Sequence, residues 1–214
     1  MRWEKKASLI KKAVSSPKPG LKSQLIMVTD PRPGHKTYAE MKNKCKKAGV
    51  LVLFFPKKNK LHIIFTRRTE MVQYHPNQIC FPGGQCEPDE SPLEAGLRET
   101  CEELGIAPGK IKILGELTPL YIPPSHYCIY PVVGIMNKHP IYHPRMDEVA
   151  EVIEIPLNHV LDNKNRIKES WELKSRKVKV PFYLYKEYKI WGATAMVLAE
   201  LLDILRQNTL NREW

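Results

Sequence analysis

The chain has 214 residues, 43% of them apolar and 27% charged, with a formal net charge of +11. That length holds one domain with a substantial core, plus an appended helix, rather than two domains. The composition is that of an ordinary globular protein, and no run of about 18 apolar residues predicts a helix that spans a bilayer.

The N-terminus is basic but lacks a continuous apolar core and a small-residue cleavage site, so it is not expected to be a secretory signal. Five cysteines (Cys45, Cys80, Cys86, Cys101 and Cys128) are an odd number without metal-type spacing. They are expected to be reduced thiols of a cytoplasmic protein. The positive charge admits a nucleic-acid surface, attraction to anionic lipid, a field that draws in a phosphorylated substrate, or solubility alone. Lysines outnumber arginines and are scattered with little aromatic interleaving, which favours general surface charge and makes a nucleic-acid partner the weaker reading.

Residues 1–16 are predicted as a basic amphipathic helix with Trp3, Leu9, Ile10 and Val14 on its apolar side. Prolines and glycine over residues 15–20 break it. Residues 1–45 are expected to be an N-terminal extension of helix and loops, packed on one domain of residues 46–214. The apolar run at 50–55 reads as a buried strand, 56–60 as a turn and 61–66 as the second strand of a hairpin.

The stretch from 81 to 106 reads as a loop followed by a helix marked at both ends. Ser91 is a good N-cap, Pro92 suits the first helical position, and Glu94 completes a capping box. Gly105 falls where a left-handed C-cap residue belongs, so the helix is predicted over 92–104. At roughly 100° per residue, Leu93, Leu97, Thr100 and Leu104 gather on one core-facing side. Glu99, Glu102 and Glu103 spread over about 100° of the other side. Like charges one turn apart destabilise a helix by a few tenths of a kcal/mol per pair. A hard divalent cation relieves that repulsion. A solvated acidic face is the plain alternative. Gly83 and Gly84 just upstream, where backbone can approach a phosphate or a metal, favour the cation site.

Strands are predicted next at 111–117 and 127–136, separated by a proline-bearing loop at 118–125. Residues 149–155 alternate apolar and acidic side chains, residues 178–185 form a further strand, and 193–207 form an amphipathic helix through Leu198, Leu201, Leu202 and Leu205. Strands with helices before, between and after them imply a mixed sheet covered on both faces.

Gly84, Glu90 and the run Arg98-Glu99-Thr100-Cys101-Glu102-Glu103-Leu104-Gly105-Ile106 together resemble the Nudix box. The one soft departure is Thr100, where the family carries an aliphatic residue. The resemblance implies an α/β fold, an α/β/α sandwich with a mixed β-sheet, and a diphosphate hydrolase that uses Mg²⁺ or Mn²⁺. It implies that Glu99, Glu102 and Glu103, with the backbone of Gly83, hold the metal. It also implies that Glu99 or Glu102 acts as base, that Glu90 and Arg98 hold loop and helix in register, and that Gly84 meets the substrate. Residues 64–69 and 81–84 are similar to the extended motif of coenzyme A pyrophosphatases, with Arg68, and Arg67 beside it, as phosphate contacts. Gln73 stands where that motif has a second arginine, and Asn77 where it has glycine. Segments 118–125, 131–134, 148–157 and 190–195 resemble the same branch. The expected substrate is therefore CoA or an acyl-CoA, giving 3′,5′-ADP and 4′-phosphopantetheine. ADP-ribose, NADH or a dinucleoside polyphosphate is the alternative, and a non-catalytic nucleotide- or RNA-binding module is the rival of another class.

Read without that resemblance, Trp191 with the Gly-Ala-Thr after it is a device that seats the last helix. Arg67 and Arg68 are ordinary strand-end charges, His75 is a loop side chain, and Glu148 and Glu151 are a solvent-facing alternation. The sharper alternative for Glu148 and Glu151 is a further ligand or base supplied from a distant loop.

Overall fold

The computed structural model describes residues 3–31, 34, 36–71, 76–173 and 176–208. Gln73 and His75 lie outside the described residues. Eight of the described strands form one mixed sheet. The run predicted at 50–55 is the centre of a longer strand, β1 (Lys46–Lys57), and the hairpin closes onto β2 (Lys60–Arg68). β1 pairs in parallel with β7 (Tyr127–Ile135), and every other pairing in the sheet is antiparallel. β5 (Lys112–Glu116) lies outside β7, and β8 (Val149–Pro156) runs along β2. Two very short strands complete the centre: β3 (Ile79–Cys80) on β2 and β4 (Gly83–Gln85) on β1. The loop expected at 118–125 contains a strand of its own, β6 (Leu120–Ile122), on β7. A second sheet of three strands is built from β9 (Arg166–Leu173), β10 (Arg176–Tyr185) and β11 (Tyr188–Trp191).

Helices cover both faces. Alternate residues of β1 point to opposite sides: Leu51, Leu53 and Phe55 meet Leu104 of α4 (Pro92–Leu104), while Val52 and Phe54 meet the other core. That second core holds the buried side of α1 (Trp3–Val14), through Ala7, Ile10, Ala13 and Val14, and nearly the whole of α6 (Gly192–Asn208). α6 carries a buried glutamate, Glu200, whose carboxylate accepts hydrogen bonds from Gln24 Nε2, Thr118 N and Thr118 Oγ1. A charge so deep persists because its oxygens are partnered, and here the partners pin residues 24 and 118 to the helix.

The expectation of five reduced thiols is corrected. Cys45 and Cys128 form a disulfide, with Cα atoms 5.7 Å apart and a sequence separation of 83. Such a pair has no signature in spacing; the parallel pairing of β1 with β7, Lys47 opposite Cys128, brings it together. Cys80, Cys86 and Cys101 are free. With this disulfide present, the cysteines no longer point to a cytoplasmic setting. No described helix is long and apolar enough to cross a membrane.

Candidate active site

The acidic helix is built as its sequence foretells. Ser91 Oγ accepts from Glu94 N at 3.3 Å, the Glu94 carboxylate accepts from Ser91 N at 2.9 Å, and Gly105 leaves the helix at φ 70°. Thr100, on the buried side, satisfies its hydroxyl by donating to Gly96 O at 2.6 Å, which lets it replace an aliphatic residue. The helix rides unusually close to the sheet. A Cβ on Gly49 of β1 would lie 1.8 Å from Pro92 O, so glycine there is what lets the first turn of α4 rest on the strand.

β4 brings the glycine pair under the carboxylates. Gly84 faces Gly49 across the strand pair, and a Cβ on Gly84 would sit 2.3 Å from the Glu99 carboxylate. Gly83, at φ 147°, donates its N–H to Glu103 Oε2 at 3.4 Å. The strap expected as a loop is thus a strand edge that holds two of the three helical carboxylates in place.

One oxygen each from Glu99, Glu103 and Glu148 lie within 4.8 Å of one another. Glu148 comes from the loop before β8, and that loop is tied down on two sides. Arg145 N donates to Glu103 O at 3.0 Å, Thr69 N donates to Glu148 O at 3.0 Å, and Thr69 Oγ1 donates to Asp147 O at 2.8 Å. Glu102 turns elsewhere: it is more exposed and stands 3.4 Å from Arg98 Nη1.

Arg98 is the organiser of the helix's outer side. Its guanidinium binds both oxygens of Glu90, at 2.8 and 3.0 Å, and also Glu99 Oε1 at 2.9 Å and Gln85 O at 3.1 Å. These bonds hold the Glu90 carboxyl below its ordinary range, and they raise Arg98 itself. Glu90 and Arg98 therefore lash the loop to the helix, and Glu99 is oriented by the same cation.

Burial pushes the Glu103 carboxyl up to about 8, opposed by Arg68 and reinforced by the neighbouring Glu99. Burial raises Glu99 as well. The apposed carboxylates resist being charged together, and a divalent cation is what makes the charged state favourable. Arg68 Nη1 stands 4.0 Å from Glu103 Oε1, and Arg68 Nε is buried with no hydrogen-bond partner among the described residues. An unpartnered buried donor beside a cluster of carboxylates is suited to an anionic oxygen of a ligand that also meets the cation. The donor set thus fits Mg²⁺ or Mn²⁺, both of which favour carboxylate oxygen.

Arg67 does not join the group. It points to the other face of β2, where its Nε donates to Glu151 Oε2 at 3.1 Å. Of the distant acidic pair, sequence reading could name both residues but not choose between them. Glu148 enters the cluster and Glu151 does not: Glu151 sits opposite Arg67 in the β2–β8 pair, while Glu148, in the loop before β8, is held beside the cluster by Thr69 N bonded to its carbonyl.

A family model of the NUDIX domain matches residues 46–174. A protein of Photorhabdus laumondii described as the uncharacterized Nudix hydrolase NudL is 33% identical over 145 residues, 67% of this chain and 77% of that one. The mouse peroxisomal coenzyme A diphosphatase NUDT7 is 34% identical over 116 residues, which span 54% of this chain and 49% of the mouse protein. Among solved structures, the Nudix hydrolase RenU of M. smegmatis shares the fold, with a TM-score of 0.51, 16% identity, and coverage of 78% of this chain and 90% of that one. By the domain matched, the helix it contains and these relatives, the chain belongs to the Nudix hydrolase superfamily, and it is similar to that superfamily's coenzyme A pyrophosphatase-like branch.

Proposed function

We propose that the protein hydrolyses the diphosphate bond of CoA or an acyl-CoA with the help of Mg²⁺ or Mn²⁺, releasing 3′,5′-ADP and the corresponding 4′-phosphopantetheine. The observation that carries this reading is the convergence of Glu99, Glu103 and Glu148 beside the unpartnered Arg68 Nε. The likeness to the mouse coenzyme A diphosphatase supports the choice of substrate.

Glu99, Glu103 and Glu148 would hold the cation, which when bound supplies charge neutralisation of the diphosphate and acidifies an attacking water. Arg68 would donate to a phosphate oxygen from the far side of the cluster. Arg98 keeps Glu99 from rotating away, and Gly84 leaves room for its carboxylate. A carboxylate of the same helix, Glu99 or Glu102, takes the proton of the water as it attacks phosphorus, and the bridging P–O bond breaks to release a phosphate monoester on each side.

Incubation with CoA, acetyl-CoA, ADP-ribose and NADH, each with and without Mg²⁺ or Mn²⁺, tests the reading directly. The expected result is cleavage of CoA and acetyl-CoA, identified by product mass, with kcat/KM at least about tenfold above that for ADP-ribose or NADH and none in chelator. Preferential cleavage of ADP-ribose or NADH would move the assignment to another dinucleotide.

A further inference from the structure

The positive charge is unevenly divided along the chain. Residues 1–45 hold eleven lysines and arginines against three acidic residues, a net +8, while the rest of the chain holds 23 against 20. The matched NUDIX domain begins at residue 46, so most of the excess belongs to what is added in front of that domain.

The fold gathers this charge on one face. α1 packs on α6, and so do α2 (Leu21–Gln24) and the single 3-10 turn that follows it, Leu25–Met27. α6 is buried at every position from Ala195 to Leu202, with the sheet on one side and these segments on the other. The extension is therefore the outer layer on the side of the sheet away from α4. It is a fixed layer: Ser16 Oγ donates to Asn208 Oδ1 at 3.1 Å, Ser23 Oγ donates to Asp203, and Gln24 Nε2 donates to Glu200 at 3.0 Å.

Lys5, Lys11, Lys12, Lys18 and Lys22 are exposed on this layer, and none of the five forms an ion pair among the described residues. Within residues 3–31 the acidic residues are Glu4 and Asp30 alone. Two large apolar side chains also stand out of the layer: Leu21, between Lys18 and Lys22, is 37% exposed, and Ile26 is 46% exposed. Flexible ammonium groups around protruding aliphatic side chains match the headgroup zone of an anionic bilayer, where the charges meet phosphate and the apolar groups enter the interface. A nucleic acid matches less well, since its readers rely on arginine forks and aromatic platforms. Residues 4–30 contain neither arginine nor an aromatic residue.

We propose that the layer formed by α1, α2 and the turn after it is a docking surface for membranes that carry anionic phospholipid. The protein lies on such a bilayer through its lysines, with Leu21 and Ile26 in the interface and the carboxylate cluster on the other side of the sheet. Contact is peripheral, and the proposal is independent of which diphosphate the enzyme cleaves.

Cosedimentation of the full chain with vesicles tests it, using phosphatidylcholine alone or with roughly 30% phosphatidylserine, in about 0.1 M NaCl. Wild type should bind the anionic vesicles at least about tenfold more tightly than the neutral ones and should be released in about 0.5 M NaCl. The triple variant Lys11→Glu, Lys12→Glu, Lys22→Glu should lose at least about tenfold in affinity. A control with the same change in net charge, Lys58→Glu, Lys60→Glu, Lys138→Glu on exposed positions outside this layer, should stay within about threefold of wild type. Leu21→Ser with Ile26→Ser should weaken binding at least about threefold. Equal losses in the two triple variants would reduce the effect to overall charge and overturn the proposal, as would wild type that fails to bind anionic vesicles. Tighter binding of a single-stranded RNA at the same salt, lost in the first triple variant, would make this a nucleic-acid face and overturn it as well. Should that variant fail to fold, amine-reactive labelling of wild type decides. Protection of Lys11, Lys12, Lys18 and Lys22 by anionic vesicles supports the docking surface, and protection only of lysines elsewhere refutes it.

Discussion

At the scale of single residues, the site is a set of carboxylates held close enough to resist charge. Glu99→Gln and Glu103→Gln should each lower kcat at least about a hundredfold, equivalent to roughly 2.7 kcal/mol of barrier, in line with loss of a metal ligand. Glu148→Gln should fall in the same class, and steady-state kinetics at saturating Mn²⁺ checks all three. Glu103 also makes a prediction about pH. Its carboxyl is held up to about 8 against an ordinary 4.5, so the metal-free native state binds a proton that the unfolded chain has already lost between those values. The stabilisation is complete below about 4.5 and is lost as pH rises through about 8. In chelator, the Tm of the wild type should therefore fall from pH 5 to pH 8 more steeply than that of Glu103→Gln, and parallel slopes would contradict the assignment. Sequence could place Glu99 and Glu103 because helical periodicity is local. It could nominate Glu148 but not select it, since that choice is made by how β2 and β8, far apart in the chain, pair. It also grouped Glu102 with the other two, and the structure turns Glu102 to Arg98.

At the scale of elements, α4 was fully legible and its setting was not. Capping residues, a proline at the start and a glycine at the end are short-range signals, and the helix runs from Pro92 to Leu104 as they require. Ser91→Ala should cost about 1 kcal/mol by removing the cap and its reciprocal bond, read as a lower midpoint in urea with unchanged slope. β4 was invisible because two glycines have little strand propensity; it exists because Gly49 and Gly84 let backbone and helix approach. Gly84→Ala should displace the Glu99 carboxylate, weakening Mn²⁺ at least about tenfold, the scale of disturbing a ligand's support. Tm should barely move, since Gly84 is not at positive φ. β9 escaped notice for another reason: its residues alternate exposed with only partly buried side chains, none fully buried, and it pairs as a strand against β10.

At the scale of the whole molecule, the fold class followed from counting strands between helices, while the disulfide and the second sheet did not. Both depend on which distant segments meet, and one chain carries no direct record of that. The net charge of +11 should speed encounter with an anionic substrate. Raising NaCl from about 0.05 M to 0.5 M should lower kcat/KM for CoA several-fold while kcat changes little, because screening acts on association. An equal fall in kcat would instead point to weakened metal binding.

The claim beneath all of this is that Glu99, Glu103 and Glu148 share one divalent ion. Anomalous diffraction from Mn²⁺-soaked crystals measures it most directly. The account predicts a peak about 2.1–2.2 Å from a carboxylate oxygen of each of the three, absent in Glu103→Gln. An empty cluster at millimolar Mn²⁺, or an ion bound only at Glu102 on the outer face, would contradict it.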